Sequence, residues 1–181
     1  KPNQLGRALS MSRNNIKIGV ILQGAETPFM KEVLKGIQEA CAEVDNLGGT
    51  VLVHKIEHQN AEDVILAMEK MRMEEVRGIA MVPLDEERVK REIDRFVEEF
   101  RIPVVTFTSD VEDTKRLCFV GQNGVQCGRA AAGLMGELTG GKGKVVVISG
   151  YSTNTSLSSR VVGFREEIAR KYPGIEIIGP E

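Results

Sequence analysis

Residues 16–44 constrain the fold of this chain more than any other stretch. Residues 16–22 are mostly apolar and rich in β-branched side chains, which is typical of a buried strand. After a short polar segment, Pro28 stands at a first-turn helical position, preceded by Thr27 as the N-capping residue. Apolar residues then recur at three- and four-residue spacing, as in an amphipathic helix. A strand, a loop and a helix in this order predict the opening unit of a parallel α/β sheet.

The same alternation continues along the rest of the chain. It predicts an α/β fold with parallel, doubly wound sheets joined by right-handed crossovers. The predicted strands are residues 50–56, 78–83, 102–107, 117–120, 144–149 and 174–178, and the predicted helices are one capped by Asn60 and residues 87–100, 128–138 and 160–171. A second sheet made of only the last two strands would leave apolar edges exposed. We therefore expect the sequence to be a piece of a longer protein.

Charge is distributed unevenly although the net charge is only −2. Residues 1–17 contain four bases and no acid, whereas the remainder is acidic. A basic arm before an acidic body favours nucleic acid as a partner near the amino end. The three cysteines have no CxxC spacing, and we expect Cys41 and Cys127 on helices and Cys118 at a strand edge to be packing residues in a reducing compartment. No run reaches membrane-spanning length and no leader opens the chain, so the sequence predicts a cytoplasmic protein without a membrane partner.

Several motifs of catalytic or cofactor-binding proteins are incomplete. Residues 136–142 have the GxxxxGK spacing, but they lie between a predicted helix and a strand, and Gly143 stands where a magnesium-binding Ser or Thr is needed. His54 and His58 flank the end of a strand with no third ligand nearby, which does not favour a metal site. No GxGxxG follows a strand, and no GxSxG elbow or Ser/His/Asp set is present. We therefore expect that the protein is not an enzyme and that it binds neither a cofactor nor a metal ion.

Polar and aromatic residues cluster at the predicted carboxyl ends of the strands. Parallel strands bring such residues to one edge of a sheet, where α/β proteins bind ligands. Convergent polar groups beside an aromatic ring describe a site for a polyhydroxylated or small polar ligand, although any one of them is equally explained as a cap or a solvated loop residue. The candidate ligand-binding residues are Gln23, Thr27, Phe29, Asp85, Thr108, Ser109, Asp110 and Arg160.

Four short segments follow one another in an order that resembles a known family. They are Pro2-Asn3 with Leu5, Ala8 and Leu9; Thr27-Pro28-Phe29 with Gly36 and Ala40; Gly121-Gln122-Asn123 with Gly128-Arg129 and Ala131-Ala132; and Arg160-Val161-Val162-Gly163-Phe164. These segments resemble the hinge, the first helix, the crossover and a second-lobe helix of the effector-binding core of LacI/GalR-type transcriptional regulators. The fold of that core is similar to the type I periplasmic sugar-binding proteins. The resemblance implies a two-lobed protein whose second lobe is incomplete in this chain.

The resemblance also implies a domain organisation and a contact with DNA. Residues 1–15 would be a hinge after an absent helix-turn-helix head, residues 16–120 the N-terminal lobe, and residues 121–181 the first part of the C-terminal lobe. In the hinge, a short helix over residues 3–10 would form only with a partner. Its expected DNA-contacting residues are Asn3, Arg7 and Leu9, with Leu9 inserted into the minor groove at the centre of the operator.

For the ligand, the resemblance implies a sugar or a sugar-like effector. Arg160 would contact its hydroxyls from the second lobe, Phe29 would stack on its apolar face, and Thr27 would make a polar contact. Thr108-Ser109 stands where ribose-type binders carry an Asp-Arg pair, which argues against a ribose-like ligand. The implied protein is a cytoplasmic, homodimeric DNA-binding regulator such as a repressor. The alternative is a solute-binding protein of a sugar transport system, which would share the fold and the pocket.

Overall fold

The computed structural model describes residues 16–179 and confirms the predicted alternation of strands and helices. The predicted hinge helix and its residues Asn3, Arg7 and Leu9 lie outside this range. Within it the elements are β1 (Lys17–Gln23), α1 (Pro28–Asn46), β2 (Thr50–Ile56), α2 (Ala61–Met73), β3 (Ile79–Met81), α3 (Glu87–Glu98), β4 (Val104–Phe107), β5 (Cys118–Val120), α4 (Gly124–Thr139), β6 (Lys142–Val146), α5 (Thr155–Lys171) and β7 (Gly174–Ile178).

The strands form two parallel sheets. The first sheet has the order β2-β1-β3-β4-β5, with β1 near its centre because β2 pairs on one side of it and β3 on the other. The second sheet consists of β6 and β7. Because every pair is parallel, the loops after β1, β3 and β4 leave the first sheet at the same edge. Among the described helices, none is both long and apolar enough to cross a membrane.

Apolar side chains pack on both faces of the first sheet. On one face Ile21 packs with side chains of α2 and α3, including Met68 and Phe96. On the other face Val20 and Leu22 pack against the half-buried stripe of α1. Burial of each such large side chain contributes about 1.5–3 kcal/mol, which explains why an apolar run forms β1, a strand covered on both faces. Met68 and Met71 of α2 are buried in this core.

Two helices begin earlier than their apolar periodicity predicts. Helix α4 begins at Gly124 rather than at 128, because the Asn123 side chain accepts a hydrogen bond from the Gln126 amide at 3.0 Å. Helix α5 begins at Thr155 rather than at Arg160, because Asn154 caps it by accepting from the Ser156 amide. The predicted loop after β6 is shorter as a result. Strand β6 also ends at 146 rather than at 149, where its pairing with β7 ends.

Helices α4 and α5 cross in direct backbone contact, and two glycines permit it. A Cβ atom at Gly128 would lie 2.0 Å from the Arg160 carbonyl oxygen. A Cβ atom at Gly163 would lie 2.0 Å from the Val125 carbonyl oxygen. Neither backbone atom can move without separating the helices, so the crossing requires glycine at both positions. This contact fixes the backbone of α5 next to Arg160.

The free cysteines follow the prediction only in part. Cys41 and Cys127 are half-buried on helices and Cys118 begins β5, as predicted. Cys118 is exposed, however, because β5 is the edge strand of the first sheet, so a packing role for its side chain is wrong. No group of three metal-ligating side chains occurs within residues 16–179.

Candidate ligand-binding site

A cleft of about 660 Å³ lies between the two sheets. One wall comes from the carboxyl ends of β1, β3 and β4, and the other from the loop after β6 and the first turns of α5. The volume is in the range that proteins use for small ligands, and apolar surface predominates with a few polar groups between. Polar side chains on the first wall are those of Gln23, Thr27, Gln59, Thr108 and Ser109, and those on the second are Tyr151, Asn154, Ser156 and Arg160. Gln122, in the crossover between the two sheets, also lines the cleft.

Six of the eight predicted ligand-binding residues line this cleft, and two do not. The six are Gln23, Thr27, Phe29, Thr108, Ser109 and Arg160. Asp85 and Asp110 instead line a neighbouring, more polar cavity of about 810 Å³. The sequence places all eight at strand ends, so only the tertiary contacts of the two aspartates separate them from the others.

Basic partners hold both aspartates away from the cleft. Lys90 pairs with the Asp85 carboxylate at 2.8 Å, and this hydrogen bond raises the pKa of Lys90 above its ordinary value. Arg116 forms an ion pair with Asp110, and the Thr106 hydroxyl donates to the same carboxylate at 2.7 Å. Each carboxylate therefore has a basic partner within the protein, and neither lines the cleft.

Gln23, the last residue of β1, is 5 % exposed and sits on the wall of the cleft. Its Nε2 donates to the Val82 carbonyl at 2.6 Å, which fixes the orientation of the amide. Its Oε1 has no hydrogen-bond partner among the described residues although it is buried. A buried acceptor without a partner costs about 1–3 kcal/mol, so this oxygen is a strong candidate for a bond from a ligand donor.

Two aromatic rings on opposite walls flank the cleft. Phe29 lies in the first turn of α1 and is 64 % exposed, and Tyr151 follows β6 and is 70 % exposed. Neither ring is therefore part of the buried core. Both offer a flat apolar face to a ligand. Thr27, two residues before Phe29, caps α1 by accepting from the Met30 amide at 3.3 Å, as predicted.

Arg160 comes from the second turn of α5 and is held by neutral acceptors. Its guanidinium donates to the Ser156 carbonyl on its own helix and to Gln122 Oε1 at 2.9 Å. Gln122 lies in the crossover between the sheets, so it ties the arginine to the first wall. Arginine has five N–H donors in a fixed fork, and the remaining ones are available to a ligand.

A set of hydrogen bonds joins the two walls directly. The Ser109 hydroxyl donates to Asn154 Oδ1 at 2.8 Å. The Thr155 hydroxyl accepts from the Asp110 amide at 2.9 Å and donates to the Asp110 carbonyl at 2.6 Å. We call these contacts the wall bridge: Ser109 with Asn154, and Asp110 with Thr155. It hydrogen-bonds the start of α5 to the loop after β4, so this conformation has the walls in contact.

Thr108 occupies a backbone conformation that threonine rarely adopts. Its φ is +60°, in the left-handed region that is strained for a β-branched residue. The Ser109 amide donates to the Phe107 carbonyl at 2.8 Å across it, forming a three-residue turn. Strain of this kind clusters at ligand clamps, where the surroundings enforce it. Here it points the chain after β4 towards the second wall.

Five polar residues of the cleft are not among the eight predicted candidates: Gln59, Gln122, Tyr151, Asn154 and Ser156. Gln59 follows β2, and its position after a strand is the same signal that identified the others. Gln122 lies in the crossover, where only its bond to Arg160 reveals its role. Asn154 was hidden in a stretch without apolar periodicity, and its helix-capping position is the signal that marks it.

Comparison with known proteins identifies the domain family. The model of the periplasmic binding protein domain matches residues 18–181. An ABC transporter solute-binding protein from Burkholderia graminis, solved with D-arabinose, is 26 % identical with a TM-score of 0.82 over 92 % of this chain and 56 % of its own. A glucose-galactose binding protein from Geobacillus stearothermophilus is 25 % identical with a TM-score of 0.81, over 91 % of this chain and 57 % of its own.

A third structure shares the fold at lower identity. A protein assigned as a LacI transcriptional regulator from Bacteroides fragilis is 20 % identical with a TM-score of 0.81, over 91 % of this chain and 59 % of its own. No significant match is found among curated protein sequences. The chain spans less than two thirds of the length of each of these structures. The family model covers nearly the whole chain and the predicted α/β type I fold is confirmed; the chain belongs to the periplasmic binding protein domain family.

Proposed function

We propose that the cleft binds a sugar or a sugar-like small molecule and that this chain is a reversible binder, not an enzyme. The observation that carries the proposal is the composition of the cleft, where aromatic rings and hydrogen-bonding side chains face each other from two sheets. Sugars offer apolar faces for rings and hydroxyls for polar side chains. Relatives that are 25–26 % identical include structures whose names state sugar binding, which supports the same ligand class here.

We propose further that the bound ligand regulates a LacI-type DNA-binding homodimer in the cytoplasm. The support is the order of the four sequence segments, including the hinge-like Pro2-Asn3 and Leu9 and the basic residues around them. In this proposal Asn3, Arg7 and Leu9 contact operator DNA, with Leu9 inserted in the minor groove. A two-fold dimer would place two such hinges on the half-sites of a pseudo-palindrome.

The mechanism proposed is closure of two lobes, residues 16–120 and the part beginning at 121. A ligand that touches Phe29 and Arg160 together binds the closed arrangement better than an open one, and so shifts the equilibrium towards closure. The wall bridge would be made only in the closed arrangement. In a dimer, closure would change the separation of the hinges and thereby the affinity for the operator.

A thermal-shift screen of the complete protein against sugars, sugar acids, polyols and sugar phosphates tests ligand binding. A ligand that binds only the folded state raises stability by about 2.7 kcal/mol at a hundredfold excess over its dissociation constant. A shift confined to one class of sugar supports the proposal. A folded protein whose melting temperature no member of the panel changes contradicts sugar binding.

Replacing Arg160 with Ala is the first variant to test. We expect a loss of ligand affinity of about 10- to 100-fold, because charge-assisted hydrogen bonds to the ligand disappear while the helix-favouring alanine keeps α5 intact. Isothermal titration calorimetry measures the affinity, and circular dichroism checks the fold. Unchanged affinity in a folded Arg160→Ala variant would contradict the role assigned to this arginine.

A solute-binding protein of a sugar transport system is the second candidate. The two relatives that are 25–26 % identical favour it, since their names describe a transporter-associated protein and a sugar-binding protein. The parent gene separates the candidates. A helix-turn-helix sequence before Lys1, with ligand-dependent binding of the product to DNA, supports the regulator; a signal peptide and no DNA binding support the transport protein.

A further inference from the structure

The cleft has an unusual charge composition for a site that meets a polyhydroxylated ligand. Among the residues that the structure describes, no Asp or Glu lines it. Arg160 carries the one formal charge on its described walls. The described lining of the cleft therefore carries a single formal charge, which is positive.

The surroundings of Arg160 leave its charge uncompensated. The two acceptors that hold it, the Ser156 carbonyl and Gln122 Oε1, are neutral, and within residues 16–179 no carboxylate oxygen lies within ion-pair distance. Nearby arginines differ in this respect. Arg129 on α4 pairs with Glu166 at 2.9 Å, and Arg170 on α5 pairs with Glu167 at 2.8 Å. A partly buried cation without a counter-ion favours an anionic ligand.

The opposite wall presents a hydrogen-bond acceptor that lacks a donor. Gln23 Oε1 is a buried acceptor without a partner among the described residues, and the Val82 carbonyl already holds the amide nitrogen in place. A carbonyl oxygen can only accept, so the ligand must present a donor such as a hydroxyl there. The cleft is therefore complementary to a ligand with an anionic group at one wall and a hydroxyl at the other.

The first turn of α5, the helix that carries Arg160, argues against a phosphate as the anion. Phosphates commonly bind the free amides of a helix N-terminus. In α5 these amides are already used, since Ser156 donates to the Asn154 side chain and Leu157 and Ser158 donate to its carbonyl. One guanidinium fork matches the charge and the two oxygens of a carboxylate.

On the basis of the proposed function, we infer that the ligand is a sugar acid, an aldonic or uronic acid whose carboxylate binds Arg160 and whose hydroxyl donates to Gln23. Phe29 and Tyr151 cover the carbon skeleton between these two ends. Neutral sugars fit the same space but leave the arginine without its counter-ion, so they bind more weakly.

Matched pairs of ligands test this inference on the complete protein. Titration calorimetry compares D-galacturonate with D-galactose and D-gluconate with D-glucose, at two salt concentrations. We expect the acid of at least one pair to bind about tenfold or more tightly than its neutral partner, with the difference shrinking as salt rises. A neutral sugar that binds as tightly as its acid, or a sugar phosphate that binds more tightly, overturns the inference and leaves the proposed function standing.

Two variants test whether Arg160 causes the preference for sugar acids over neutral sugars. Arg160→Gln keeps hydrogen-bonding capacity and removes the charge, so the preference for the acid should disappear while affinity for the neutral sugar changes by less. Arg129→Gln is the matched control, because Arg129 lies outside the cleft; it should keep the full preference. An undiminished preference in folded Arg160→Gln overturns the inference. If the folded wild-type protein binds neither acids nor neutral sugars, the proposed function falls together with it.

Discussion

At the scale of single residues, relieving the strained backbone of Thr108 should change stability and ligand affinity in opposite directions. Replacing Thr108 with Gly removes the steric cost of the left-handed conformation, about 1–2 kcal/mol, and adds about 0.5–1 kcal/mol of backbone entropy. We therefore expect the free energy of unfolding to rise by up to about 1 kcal/mol, with weaker ligand binding because the turn after β4 is less fixed. Urea unfolding and titration calorimetry measure the two effects.

Thr153→Gly is the control for this change. Thr153 is also a loop threonine beside the cleft, and its carbonyl accepts from the Asp85 amide at 3.0 Å, but its φ is not positive. Glycine there gains no relief of strain and should lower the free energy of unfolding. Equal destabilisation by both substitutions would show that Thr108 is not strained.

His54 gives a residue-scale prediction for pH. Burial and the nearby charge of Lys70, in that order, lower the pKa of His54 below its ordinary value near 6.5. The unfolded chain therefore takes up a proton more readily than the folded protein, so the free energy of unfolding should fall as the pH drops below about 6.5. His54→Gln should flatten this part of the melting-temperature profile between pH 7.5 and 5.5. His58→Gln, at an exposed position, should not.

The candidate site shows what sequence can identify at this scale. Strand-end position correctly predicted that Gln23 and Thr108 lie together at one edge of the first sheet, because parallel strands end at one edge. Arg160 reaches the same cleft from α5 on the second wall, which this rule does not predict. The same rule included Asp85 and Asp110, which ion pairs with Lys90 and Arg116 keep in another cavity. Those pairs join residues whose contact depends on local loop geometry, which periodicity does not encode.

At the scale of elements, the crossing of α4 and α5 is the most demanding contact. Gly128→Ala would place a methyl group against the Arg160 carbonyl at 2.0 Å, so the helices must separate. We expect a loss of at least about 1–3 kcal/mol in the free energy of unfolding and weaker ligand binding, because Arg160 moves with α5. Chemical denaturation and calorimetry give both numbers.

The same helix provides the control. A Cβ atom at Gly133 meets nothing within 4 Å, so Gly133→Ala should stabilise α4 by up to about 1 kcal/mol through helix propensity. Opposite signs for the two alanines are the expected result. Destabilisation of similar size in both would contradict the crossing as the cause, because Gly133 lies outside it and helix propensity favours alanine.

Element types were predictable and some boundaries were not. Apolar runs and cap residues directly predict β1, β2 and α1 with its Thr27 cap. The first turn of α5 is polar and has no apolar periodicity, so the sequence suggested a loop to Ser159. Its side chains bond to the helix itself and across to the loop after β4, and that tertiary contact replaces the missing apolar face.

At the scale of the whole molecule, the wall bridge should stabilise the proposed closed arrangement of the two lobes. Thr155 bonds both backbone groups of Asp110 and does not line the cleft. Thr155→Val keeps the shape of the side chain but removes both bonds, each contributing about 0.5–1.5 kcal/mol. The closed arrangement should then be less populated, and apparent affinity falls in proportion to its population.

We expect Thr155→Val to weaken binding of the tightest ligand found in the panel by about tenfold. Small-angle scattering of the ligand-free protein should report a larger radius of gyration, since open lobes extend the molecule. Thr114→Val is the matched control, because the Thr114 hydroxyl bonds only locally, to the Val111 carbonyl at 3.1 Å. If Thr155→Val changes neither affinity nor radius, the two Thr155 bonds do not hold the walls together.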